Sequence, residues 1–174
     1  MSYLSLSIFL PIVLGVVLAL FGRYLGQGGA RWFALLAAIA GFIVTIPIYT
    51  GFDGSSAAMQ FVENIPWVTR FNINYHLGVD GISLWFVLLT AFITIIAILS
   101  AWEVITDRFH LYAAAFLILS GIMIGVFVAL DAVLFYIFFE ATLIPMYLII
   151  GIWGGQNRIY AAFKFFLYTL AGSF

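Results

Sequence analysis

The chain is a succession of long apolar runs, and these decide what it can fold into. Six segments, at about 4–21, 32–50, 82–101, 111–130, 132–153 and 159 onward, carry almost no charge. About 20 apolar residues in a helix cross the hydrocarbon core of a bilayer. In that medium each backbone N–H and C=O must be satisfied within the segment, which makes the helix the spanning form for such runs. Hydrophobic residues make up 66% of the chain and charged ones 7%, against about a quarter charged in a soluble domain. The expected fold is an all-α polytopic membrane protein with about six transmembrane helices. The sixth segment reaches Phe174 after about 16 residues, short of a full crossing, so the chain reads as truncated within a helix.

The arginines set the expected orientation. Arg23 and Arg31 fall between the first and second segments, Arg108 between the third and fourth, and Arg158 between the fifth and sixth. The other side carries only Arg70, with Asp53, Glu63, Asp80 and Asp131. The positive-inside rule then puts the N-terminus outside. The first segment does not read as a signal peptide, because no basic residue precedes it.

Composition narrows the chemistry. The net charge of −1 offers no basic face for nucleic acid. The chain has no cysteine, which excludes disulfides, thiolate metal sites and iron–sulfur ligation. His76 and His110 are the only imidazoles, both expected in or near loops, and no glycine-rich phosphate loop occurs. No metal, cofactor or redox centre is expected on this chain.

Four stretches organise it: residues 1–57 with the first two segments, 58–81 as an external loop, 82–110 with the third segment and the loop after it, and 111–174 with the last three. In the external loop Phe71, Ile73, Tyr75, Leu77 and Val79 alternate with Asn72, Asn74, His76 and Gly78. A period of two marks a strand. About Ala58 to Ile65 is its expected antiparallel partner, with the turn near Val68–Arg70. The reading is a small external β-hairpin between the second and third helices. The alternative is an irregular capping loop, since two strands alone are marginal.

Charges at or inside the membrane are the candidates for function. Asp80 and Asp131 directly precede the third and fifth segments, where a side-chain oxygen caps free backbone N–H groups. Asp131 also implies a tight turn between two antiparallel helices. Glu140 is different. It lies about eight residues, or about 12 Å, into its helix, near the bilayer midplane. A carboxylate there costs roughly 3 kcal/mol or more and needs a partner, a proton or water. Tyr136 and Tyr147 share its face, and Pro145 leaves the carbonyl of Ala141 without its helical donor. The functional reading is a proton-coupling acid; the bland one is a permanently neutral acid in an interhelical hydrogen bond.

Lys164 forms one helical face with Tyr160 and Tyr168. It either snorkels to the interface or joins a buried polar path. Its expected level differs from that of Glu140 by about 9 Å, so no direct ion pair is implied. Gly121 and Gly125, four apart, suit close helix packing. Arg23, Arg31, Glu103, Asp107, Arg108 and His110 read as solvated loop charges.

Three stretches go beyond composition: YHLGVDGISLWFVLLT, LDAVLFYIFFEATLIPMYLIIGIWGG and NRIYAAFKFFLYTLAGS. Together they resemble the M chain of bacterial NADH–quinone oxidoreductase, respiratory complex I, the counterpart of mitochondrial chain 4. The likeness covers most of residues 58–174. It implies an antiporter-like proton-translocating subunit in the bacterial cell membrane, with residues 111–174 opening the first of two inverted repeats. It maps the family's helix-five glutamate onto Glu140, and that glutamate modulates a lysine on a later helix beyond Phe174. It implies NADH, FMN, iron–sulfur clusters and quinone in partner subunits, and contacts with other membrane subunits, neighbouring antiporter-like chains among them. The rival readings are a chain of a multisubunit sodium/proton antiporter or membrane-bound hydrogenase, and a structural membrane scaffold.

Overall fold

The computed structural model describes residues 3–55 and 58–173. Its elements in order are α1 (Tyr3–Thr50), β1 (Gln60–Val68), β2 (Ile73–Val79), α2 (Gly81–Ser100), α3 (Phe109–Val128), α4 (Ala132–Ala141), α5 (Leu143–Trp153) and α6 (Arg158–Ser173). α1 is two limbs, Tyr3–Gly26 and Gly28–Thr50, each long and apolar enough to cross a membrane. α4 and α5 are two halves of one further span, Ala132–Trp153, joined at Thr142. With α2 and α3 that makes five candidate spans among the described residues. The sixth helix, α6, has 16 residues.

The first expected loop is not a loop. Both limbs of α1 run through Arg23 and Arg31, and the helix breaks only at Gly26, with φ 73° and ψ 172°. That conformation is essentially confined to glycine. Arg23 and Arg31 are thus helical residues, not solvated loop charges. His110 is likewise in the first turn of α3 and half-buried. Arginine has good helix propensity, so a charge after an apolar run marks the membrane edge without ending the helix.

α3 is the central helix and packs along both limbs of α1. Small residues permit this. A Cβ on Gly121 would strike the carbonyl of Ile8, one on Gly15 would lie 2.9 Å from the carbonyl of Ala114, and one on Gly22 2.5 Å from Cβ of His110. Gly125 meets the other neighbour: a Cβ there would lie 2.7 Å from the ring of Phe138 on α4. Close backbone approach supplies the van der Waals contact that holds helices together in lipid. One core cluster, with Leu4, Ile8, Ile48, Val87, Ile124, Val128 and Phe138, lies toward the hairpin end. The other is alanine-rich, with Ala30, Ala34, Ala37 and Ala38 against Ala113 and Ala114.

The hairpin forms as the alternation predicts, shifted slightly. β1 pairs antiparallel with β2, Glu63 opposite Leu77 and Ile65 opposite Tyr75, through a 3-10 turn at Thr69–Phe71. It is not left marginal, because it packs. Leu77 and Val79 are fully buried in the core, and the N–H of Leu130 donates to the carbonyl of His76 at 2.8 Å. The same end is tied to α1. The backbone N–H of Ser5 donates to Glu63 Oε2 at 3.0 Å, and the Ser5 hydroxyl lies 2.7 Å from the Tyr75 hydroxyl. Burial pushes the Tyr75 phenol above its ordinary range, partly offset by the Ser5 hydrogen bond.

Candidate functional site: the Glu140 span

The depth of Glu140 is set from the start of its helix. Asp131 caps α4, accepting from the N–H groups of Val133 at 2.9 Å and Leu134 at 3.1 Å. Its second oxygen accepts from the N–H of Asn74 at 3.1 Å, which locks β2 to the same cap. These bonds, that from Asn74 first, hold the Asp131 carboxyl below the usual aspartate range. Asp80 caps α2 in the same way, with a capping box to Ser83, and is lowered mainly by the Ser83 N–H. Two turns into α4, Phe138 wedges against Gly125. Glu140 follows two residues later.

Both carboxylate oxygens of Glu140 are buried and have no hydrogen-bond partner among the described residues. A buried polar group without a partner is costly in any low-dielectric setting. Just past it the helical hydrogen-bond ladder is irregular, although the backbone stays in the α region. Thr142 is where α4 ends and α5 begins; its N–H is shared between the carbonyls of Phe138 and Phe139, both at 3.2 Å, and its hydroxyl donates to Phe139 at 2.6 Å. Pro145 has no N–H to return to Ala141, which explains a break at this position. A lone carboxylate thus sits beside loosened backbone near mid-span.

The other sequence candidates do not join it. Lys164 is exposed on α6, its Nζ 5.8 Å from the centre of the Tyr160 ring, and no ion pair with Glu140 is present among the described residues. α6 packs on α5, where the Tyr147 ring sits edge-on to Phe163 and Phe166. The Tyr147 ring therefore packs α5 against α6. Sequence reading missed two polar features. The Ser5–Glu63–Tyr75 cluster joins residues 58 and 70 positions apart, and no local pattern announces it. Arg31 has a buried Nε with no acceptor among the described residues, and its guanidinium lies 5.9 Å over the Phe109 ring.

The family model described as NADH:quinone oxidoreductase/Mrp antiporter, TM, matches residues 129–174, which contain Glu140 and Lys164. NADH-quinone oxidoreductase subunit M of Rhodobacter capsulatus is 54% identical over 99% of this chain and 34% of its own length. The chain resembles an M chain of NADH-quinone oxidoreductase. It spans about a third of the length of the curated relatives it matches. Among solved structures, respiratory complex I from Thermus thermophilus matches with TM-score 0.81 and 28% identity, over 98% of this chain and 33% of that one. The Mrp complex from Dietzia sp. DQ12-45-1b matches with TM-score 0.80 and 16% identity, over 98% of this chain and 18% of that one, a likeness of fold alone. With five helices long and apolar enough to cross a bilayer among the described residues, the chain is a multi-pass membrane protein.

Proposed function

We propose that this chain is part of an antiporter-like, proton-translocating subunit of NADH-quinone oxidoreductase, and that Glu140 is its coupling acid. The observation that carries the reading is the buried, unpartnered carboxylate inside the stretch that matches the antiporter family. Ionised, that group demands a cation or water; protonated, it needs only a neutral hydrogen-bond partner, at far lower cost. A buried carboxylate that changes charge shifts the proton affinity of any base within reach, because opposite charge favours the base's protonated form. Coupling of this kind is reciprocal, so a proton on either group alters the other. Electrons would pass from NADH to quinone in companion subunits that hold the FMN and iron–sulfur clusters. This chain would respond through its membrane neighbours.

Lys164 is the weaker candidate, since its exposure on α6 supports snorkelling or contact with a neighbour more than coupling to Glu140. The test compares variants of the whole protein in membrane vesicles, with NADH oxidation driving acidification. Glu140→Gln is expected to remove most of the acidification, and Lys164→Ala is expected to remove less. Equal losses at equal assembly would overturn the ordering.

A further inference from the structure

We infer that the cleft at the break of α1 holds the phosphate group of an anionic membrane lipid. The cleft has a volume of about 250 Å³ and is lined by Gly22, Arg23, Gly26, Arg108, Phe109 and His110, among others. Arg31 stands beside it, its guanidinium over the Phe109 ring and its Nε buried without an acceptor among the described residues. Arg23, Arg108 and the His110 imidazole line the cleft from the first limb of α1 and the start of α3, with Arg31 of the second limb behind Phe109. The Arg23 guanidinium lies 4.8 Å over the Tyr24 ring and donates to its hydroxyl at 2.7 Å. The acids of the adjoining loop are Glu103, which is exposed, and Asp107, which pairs with Arg108 at 3.1 Å. Positive charge remains in excess, and guanidinium groups suit phosphate because their N–H donors match its oxygens.

The backbone is shaped for close approach. Gly22 lies against His110 with no room for a side chain, which brings Arg23 up to the start of α3. A Cβ on Gly26 or Gly28 would meet nothing within 4 Å, so this break in the helix is open from outside.

The level in the membrane favours a lipid over a soluble ion. Trp32 and Trp102 meet edge to face at 5.3 Å at this end of the bundle, while Tyr49 and Trp85 pair at the hairpin end. Aromatic belts of this kind mark the two headgroup levels. Exposed Phe21, Tyr24 and Leu25 flank the cleft and offer an apolar surface for acyl chains. Basic pockets between membrane helices at the headgroup level recognise anionic headgroups.

The test uses the full-length protein, purified with the subunits that accompany it, in phosphatidylcholine vesicles doped with photoactivatable phosphatidylglycerol. Label is expected on peptides covering residues 21–34 and 102–113. It should fall roughly fivefold for Arg23→Gln or Arg108→Gln and more for the pair, and should not fall for Arg158→Gln. Inorganic phosphate should not compete. Labelling that survives the double substitution overturns the inference, as does an equal fall in Arg158→Gln. Competition by inorganic phosphate overturns the lipid assignment in favour of a soluble anion. If the variants fail to assemble, the wild-type protein decides: label on these peptides should weaken as salt is raised past about 0.15 M, and salt-insensitive labelling counts against the site.

Discussion

Replacing Gly125 by alanine should displace the helix that carries Glu140. The added Cβ would sit 2.7, 2.8 and 2.9 Å from three atoms of the Phe138 ring, where ordinary contact begins near 3.4 Å. Ring and backbone must part by several tenths of an ångström. The ring has little freedom to turn aside, being 9% exposed within the hairpin-end core. Overpacking of this kind costs about 1–3 kcal/mol, which for a chain of this size lowers Tm by roughly 3–10 °C. The assay is thermal unfolding in detergent, followed by proton translocation at a temperature where the variant is folded. Translocation should fall more than stability does, because Phe138 is two residues from Glu140 and small misplacements of a reacting group are amplified. Phe138→Leu, harmful alone, should be less harmful on the Gly125→Ala background, with a coupling of about 1 kcal/mol or more. Strict additivity of the two substitutions, or an unchanged Tm for Gly125→Ala, refutes the packing argument.

The remaining predictions concern the parts that hold the site. Asp131→Asn weakens the acceptor shared by Val133, Leu134 and Asn74, so amide exchange at all three should speed up together. The folded-state pKa of Asp131 is depressed, so its stabilisation is complete above the ordinary aspartate value near 4 and is lost as pH falls through the lower folded value; exchange protection at Asn74 should drop on acidification in the wild-type protein and be pH-flat in Asp131→Asn. Gly26→Ala and Gly26→Asn should each cost about 1–3 kcal/mol in thermal stability, because φ 73° with ψ 172° lies outside the left-handed helical region that asparagine tolerates; a silent Gly26→Asn contradicts this. Ser5→Ala removes the hydrogen bond that lowers Tyr75, so ultraviolet titration of the phenol should show a pKa higher than that of the wild type, and a fall would contradict the assignment.

What the sequence discloses is mostly local. Asp80 and Asp131 are legible as caps because an N-cap bonds two and three residues ahead, within sight of the pattern. The hairpin is legible because alternation persists over 71–79, although β1 lies two to three residues later than expected, β2 starts two residues later and the turn falls a residue later. The helical run through Arg23 and Arg31 is not legible, because charge marks the membrane edge without ending a helix and the kink falls at Gly26. Gly121 and Gly125 announce close packing but not their partners. One faces Ile8, more than a hundred residues earlier, and the other Phe138, so they serve two neighbours instead of one face. Glu140 is conspicuous by type and depth. Its isolation is not legible, because it depends on which side chains the other helices turn toward it. The same holds for Arg31 and for the Ser5–Glu63–Tyr75 tie, which are contacts of tertiary structure alone.

The measurement that bears most directly on the central claim is the number of protons translocated per electron in vesicles containing the whole protein, compared for wild type, Glu140→Asp and Glu140→Gln. Electron transfer from NADH to quinone serves as the internal control for assembly. The account predicts a near-complete loss of proton translocation in Glu140→Gln with a partial loss in Glu140→Asp, because the second retains a titratable carboxyl and the first does not. A full proton-to-electron ratio in Glu140→Gln would contradict it.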